Sequence, residues 1–177
     1  MKKIHIGLLL LLGIIFISSC EKDDICVEGD TPLLVIEFYD AEDTSTLKEV
    51  PTLRVVGVEQ TITVNTVTDR SNLSTISIPL KTDEDSTSFI LINSSASDDD
   101  GTETGNLDTI NFSYSRIEDF LSRGCGFIVN YDELTANVTA DTDNWIQDIE
   151  ITQSLVTNSD STHAVSYTHL RAHETRH

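Results

Sequence analysis

Short runs of β-branched and aromatic residues recur along this chain, and nearly every run is bounded by polar turn residues. They are LLVIEFY (33–39), TLRVVGV (52–58), TITVNTV (61–67), STISIPL (74–80), SFILINS (88–94), DTINFSYS (108–115), GFIVNYD (126–132) and NWIQDIEITQSLV (144–156). Several alternate with period two: Ile110, Phe112 and Tyr114 fall on one face of 108–115, and Asn111, Ser113 and Ser115 on the other. That alternation describes a strand with one buried and one wet face. In 145–151, Trp145, Ile149 and Ile151 share a parity that only Gln147 interrupts. Parallel sheets need long helical crossovers, and helical periodicity is almost absent, so α/β folds are excluded. The expected fold is all-β, an antiparallel sandwich of about eight short strands. At most one short helical turn is expected, near 116–123, where Ile117, Phe120 and Leu121 stand at i, i+3 and i+4 and Gly124 can end the turn. The Gly124-Cys125-Gly126 triplet then permits a tight backbone turn.

The N-terminus follows different rules. Met1-Lys2-Lys3 precedes an apolar run to Ile17 that is too short to span a bilayer comfortably. A basic start followed by a short oily run is the form of an export signal. The run closes in Ile17-Ser18-Ser19-Cys20, which resembles a bacterial lipobox. Small residues there let a peptidase reach the backbone, and the cysteine thiol accepts the diacylglycerol. Residues 1–19 therefore read as a lipoprotein signal peptide and Cys20 as the lipidation site, with several acyl chains giving stable anchoring. The next residues, Glu21-Lys22-Asp23-Asp24, resemble the acidic export signal of Bacteroidota lipoproteins sent to the outer face of the outer membrane. Residues 20–32 are expected to be a lipidated acidic tether, residues 33–162 a single sandwich domain.

With Cys20 carrying lipid, Cys26 and Cys125 remain, and in an exported chain two spare thiols most simply form one disulfide. Closing a loop of about 100 residues stabilises by up to ~4.7 kcal/mol on the chain-entropy model. A zinc site would want more soft ligands than two thiols.

Charge narrows the partners. The chain carries 11 basic and 30 acidic residues, a net charge of −19. Removing residues 1–19 takes two lysines and no acid, giving 9 − 30 = −21 over 158 residues. Nucleic acid and anionic lipid surfaces are excluded by repulsion. No cofactor is implied.

Candidate sites are few. The loop DDDGTETGNLD (98–108) offers Asp98, Asp100 and Glu103 to a cation. It fails the EF-hand pattern, since aligning Gly101 with the loop glycine puts Ala96 and Leu107 where oxygen ligands belong. Asp141 and Asp143 beside Trp145 form a second acidic cluster. Nucleophilic catalysis needs a serine or cysteine near a histidine base, and the histidines are His5 and four residues between 163 and 177. No catalytic motif is present, and the chain is not expected to be an enzyme. A glycan-binding module would expose flat aromatic rings. Phe38, Tyr39, Phe112, Tyr114, Phe127, Tyr131 and Trp145 fall instead in strand patterns and read as core. Asp85-Ser86-Thr87, Asp108-Thr109-Ile110 and Asp160-Ser161-Thr162 resemble a short O-glycosylation motif of secreted Bacteroidota proteins.

The lipobox cysteine, DDIC (23–26), FYDAED (38–43), LRVVG (53–57), ISIPLKTD (76–83), RGCGF (123–127) and DNWIQDIEI (143–151) together resemble a flavobacterial type of lipoprotein, one with domain of unknown function 6452. The resemblance covers about residues 20–163. It implies a β-sandwich and a membrane address, supplies no activity, and makes RGCGF a structural signature around the disulfide. Two function classes follow. One is a structural or accessory subunit of an outer-membrane assembly; the other is a surface module binding a small ligand, a glycan or a divalent cation. Residues 163–177 are expected to be non-native or disordered: AVSYTHLRAHETRH (164–177) is basic and His-rich and resembles translated adaptor read-through. The resemblance implies that the chain continues past a Thr-His pair with an apolar strand, so a final strand after Thr162-His163 is expected to be missing.

Overall fold

The computed structural model describes residues 30–170. Nine strands occur among them, and no helix: β1 (Leu34–Asp40), β2 (Val50–Gly57), β3 (Ser71–Leu73), β4 (Thr75–Ile78), β5 (Ser86–Asn93), β6 (Asn106–Ser122), β7 (Gly126–Val138), β8 (Ile146–Ile151) and β9 (Ala164–Thr168). One sheet has the order β4-β1-β9-β8 and the other β3-β2-β5-β6-β7. The chain forms two compact units. The larger, Asp30–Asp119 with Ile128–His177, holds the sandwich; of the smaller, the described part is the hairpin end Phe120–Phe127.

The inner faces meet where alternation predicts. β1 buries Leu34, Ile36 and Phe38; β5 buries Phe89 and Leu91; β6 buries Ile110, Phe112 and Tyr114. Trp145 and Ile146 are consecutive and both buried, because the β8–β9 register shifts between Ile146 and Asp148. That bulge moves Gln147 outward and accounts for the broken parity of 145–151. Tyrosine hydroxyls tie the sheets to the loop after β4. Tyr131 donates to the Leu80 carbonyl and Tyr114 to the Lys81 carbonyl, each at 3.0 Å, and the two rings meet edge to face at 4.9 Å.

Four sequence expectations need correction. First, 61–67 is not a strand: one isolated bridge, Val56 to Thr63, remains, and Ile62 is exposed. A β-branched run with Val64 half-buried and Val67 buried lacks an alternating face to pack. Second, the helical spacing at 116–123 marks no turn; β6 runs through it to Ser122. Ile117, Phe120 and Leu121 are all exposed, so their helical spacing marks no buried face. Third, Phe127 is 66% exposed and is not core. Fourth, the domain bounds 33–162 are too narrow at both ends. Pro32 is buried, and the Thr31 hydroxyl accepts a hydrogen bond from Val129 N–H.

The last correction is the largest. Residues 163–170 are not outside the fold. Ala164–Thr168 is β9, paired parallel with β1 and antiparallel with β8. Its inward residues Ala164, Ser166 and Thr168 are fully buried, and Leu170 is partly buried against the core. Small residues suit this slot because their sheet neighbours are large: Ala164 lies beside Ile36, and Ser166 beside Phe38. Interleaving large and small side chains fills a core without voids. AVSYT itself forms the strand that was expected to be missing after Thr162-His163. Residues 171–177 lie outside the described residues, as do 1–29, where the expected signal peptide, Cys20 and Cys26 fall.

His163 secures the entry to β9. Its amide donates to the Val35 carbonyl at 3.0 Å, and its Nδ1 accepts from the Val35 amide at 3.1 Å. The ring is fully buried, and its Nε2 has no partner among the described residues. Burial lowers its pKa from the ordinary 6.5. The unfolded chain then binds the extra proton first, so stability falls as pH drops below about 6.5 and stops falling once the folded form also protonates. The slope from this residue cannot exceed about 1.4 kcal/mol per pH unit. His163→Asn keeps an acceptor for Val35 and should flatten denaturation midpoints measured between pH 6.5 and 5. An unchanged slope would assign the effect elsewhere.

Candidate functional site

A cleft of about 870 Å³ opens in the larger unit between the 93–96 and 104–106 segments and the 141–147 loop, with His169 at its side. The 141–147 loop is shaped by its own polar side chains. Asp141 Oδ1 accepts from the Asp143 amide, Asn144 Oδ1 accepts from the Asp141 amide, and the Asn144 amide group donates to the Thr139 carbonyl. Asn106 on β6 donates to the Asp143 carbonyl at 2.8 Å and holds the loop from across the cleft. The sequence-level cluster of Asp141, Asp143 and Trp145 does come together here. The carboxylate of Asp141, however, is occupied with shaping the loop.

Beneath the loop lies a residue that the sequence reading placed in a strand run and a glycosylation motif but in no candidate site. Asp108 is fully buried, and its Oδ2 accepts from the Ile146 amide at 2.7 Å. A side chain of β6 thereby caps the first residue of β8, in the opposite sheet. Burial raises the carboxyl's pKa, and the Ile146 hydrogen bond opposes that rise. Its inward parity with Ile110 was visible in the sequence, but an acid on an apolar face gives no sign of its partner. Asp108-Thr109-Ile110 and Asp85-Ser86-Thr87 lie in or beside strands, and Thr87 is buried, bonded to the Tyr114 hydroxyl and the Lys81 amide. Of the three, Asp160-Ser161-Thr162 stands in a loop, with Asp160 exposed.

The carboxylates of 98–108 go to separate partners. Asp98 Oδ1 accepts from the amides of Asp100 and Thr102, which turns the loop tip around Gly101. Glu103 points the other way. Its Oε1 accepts from the Ala96 and Gly105 amides, and its Oε2 from Ser95 Oγ at 2.8 Å, with Arg70 at 3.4 Å and Arg54 at 3.5 Å. Asp98, Asp100 and Glu103 are therefore not assembled as a cation site, and Glu103 pins the loop to Arg54 of β2 and to Arg70, the residue before β3. Burial pushes its pKa up, and the hydrogen bonds from Gly105, Ser95, Ala96 and Arg70 outweigh that, leaving it lowered. Its contribution is present above the ordinary carboxylate range and is lost as pH falls through the lowered value. Glu103→Gln should destabilise by about 1–3 kcal/mol in urea at neutral pH. The variant should also lose less stability than wild type below pH 4.5. Parallel acid limbs for the two proteins would refute this role.

Chemically, the cleft presents amides, hydroxyls and carboxylates. Trp145 lines it but is 2% exposed and packs its ring on Phe38 at 6.1 Å, so among the residues lining the cleft no exposed Phe, Tyr or Trp offers a sugar-stacking plate. Among the described residues no group of three or more His, Cys, Asp or Glu is placed to hold a metal. His169 is exposed, with Nδ1 3.9 Å from Glu42, and is not arranged with a hydroxyl nucleophile by any described hydrogen bond.

The hairpin end Phe120–Phe127 has its own order. The Cys125 amide donates to Ser122 Oγ at 3.0 Å, and Gly126 adopts φ +74° with open space where a side chain would begin. The rings of Phe120 and Phe127 lie 5.1 Å apart. The expected pairing of Cys125 with Cys26 falls on a residue outside those described.

Comparison with known proteins decides the family. The profile of the family of unknown function DUF6452 matches residues 52–168, more than half of the chain. The chain belongs to this family. The matched span runs from β2 to the last residue of β9, so within DUF6452 the final strand is part of the domain. It also corrects the expected extent of about 20–163, since DDIC and FYDAED precede the match. No curated protein and no solved structure matches the chain.

Proposed function

We propose that this member of DUF6452 is an exported lipoprotein, held on the outer membrane by lipid on Cys20 and facing outward, where it acts as a structural or accessory subunit of a membrane assembly and not as an enzyme. The observation that carries the reading is the N-terminal sequence, a basic start, a short apolar run and Ile17-Ser18-Ser19-Cys20. Its Bacteroidota character rests on the acidic Glu21-Lys22-Asp23-Asp24 that follows. A Cys26–Cys125 disulfide belongs to the same reading, supported by the even pair of thiols left once Cys20 carries lipid. The small, disulfide-tied, acidic domain is then a soluble module carried on a lipid.

Crosslinking intact envelopes and recovering the protein tests this role. A defined outer-membrane protein should be recovered with wild type, and lost with Cys20→Ala. Protease added to whole cells should digest wild type; full protection would put it on the inner leaflet.

The polar cleft favours a second reading, a binding module for a small polar ligand. A ligand that binds only the native state raises the melting temperature. Calcium or soluble oligosaccharide should raise it under this reading and leave it unchanged under the first.

A further inference from the structure

The octet Phe120–Phe127 reads FLSRGCGF, with one guanidinium and no carboxylate in a chain of net charge −19. Phe120 is 54% exposed, Phe127 66% and Leu121 37%, and the two phenylalanine rings adjoin. Apolar rings paired on a hairpin end and left in water are not spent on the core, and such patches mark contact sites. We propose that this hairpin end is a membrane-contact element, inserting Phe120, Leu121 and Phe127 into the headgroup–acyl boundary of the bilayer that holds the lipid on Cys20. The inference rests on the lipoprotein reading.

Chain length and charge identify the bilayer as the occupant. Cys26 stands six positions after Cys20, and six extended Cα–Cα steps span at most about 22 Å. A bridge from Cys26 to Cys125 adds about 5.5–6 Å between Cα atoms. The hairpin end is thus leashed within about 28 Å of the lipidated residue. Charge selects the orientation. Arg123 can snorkel to lipid phosphates while the neighbouring rings enter the interface. The acidic remainder of the chain is repelled from any anionic surface. An element of this kind lies about 5–10 Å into the boundary.

The test uses the full mature lipidated protein, reconstituted in phosphatidylethanolamine–phosphatidylcholine vesicles with brominated acyl chains. Phe127→Trp adds one emitter at the hairpin end; wild type, with Trp145 buried, supplies the background. The added emission should be blue-shifted and lost to bromine quenching, while the Trp145 emission persists. Phe120→Trp repeats the measurement should the first variant fail to fold. Unquenched emission at both positions, with Cys20 acylated in the mass spectrum of the N-terminal peptide, would overturn the inference and leave the lipoprotein reading standing. A patch that docks a protein would give that result in protein-free vesicles. An unacylated Cys20 defeats the lipoprotein reading and, with it, the leash that the inference depends on.

Discussion

A chain ending at His163 should not fold. β9 sits between β1 and β8, so its loss opens two ladders at once, with five register pairs on each side. It also removes the fully buried Ala164, Ser166 and Thr168 from beside Ile36 and Phe38. The exposed strand edges would have no partner and would invite aggregation. Domains of this size hold a net stability of only about 5–15 kcal/mol, and losing an interior strand exceeds that margin. Circular dichroism should show no cooperative melt for the chain ending at His163. A chain ending at Leu170 should melt close to the full-length protein. A cooperative transition within a few degrees of full length in the shorter chain would show that β9 is dispensable.

Trp145→Ala should give the largest loss of any single substitution, about 3–5 kcal/mol. The ring is 2% exposed, packs on Phe38, and starts the segment whose next amide is capped by Asp108. Trp145→Phe should cost clearly less. The Trp145 Nε1 has no partner among the described residues, so the smaller ring gives up volume and no hydrogen bond. Urea midpoints of the two variants and wild type rank these effects. Equal losses for Phe and Ala would mean that the indole nitrogen, not the ring volume, holds the site.

These two results bear on what the sequence can and cannot convey. Ile110, Phe112 and Tyr114 announced their burial because a strand over a core must alternate, and the structure places them there. The run 61–67 has the same residue types but no face to pack, and composition alone does not separate the two cases. The 116–123 spacing had a helical period by coincidence. Residues that face solvent on a strand are under no periodic constraint, and Ile117, Phe120 and Leu121 are all exposed.

β9 was hidden by its own chemistry. Its inward side chains are alanine, serine and threonine, whose burial depends on large neighbours 128 residues earlier in the chain, such as Ile36 beside Ala164. The surrounding histidines suggested an unrelated tail, whereas His163 is the residue that fixes the strand to Val35. The candidate site was legible in part. Asp141, Asp143 and Trp145 are close in sequence and line one cleft. Asp108 beneath them and Arg54 and Arg70 on Glu103 come from distant segments, and only the folded chain pairs them.

The lipid on Cys20 is the claim on which the address, the outward role and the membrane-contact hairpin all depend. Metabolic labelling with a radioactive fatty acid tests it most directly. Wild-type protein should take up label, and Cys20→Ala should take up none and leave the membrane fraction. An unlabelled wild type, or label retained by Cys20→Ala, would contradict the account.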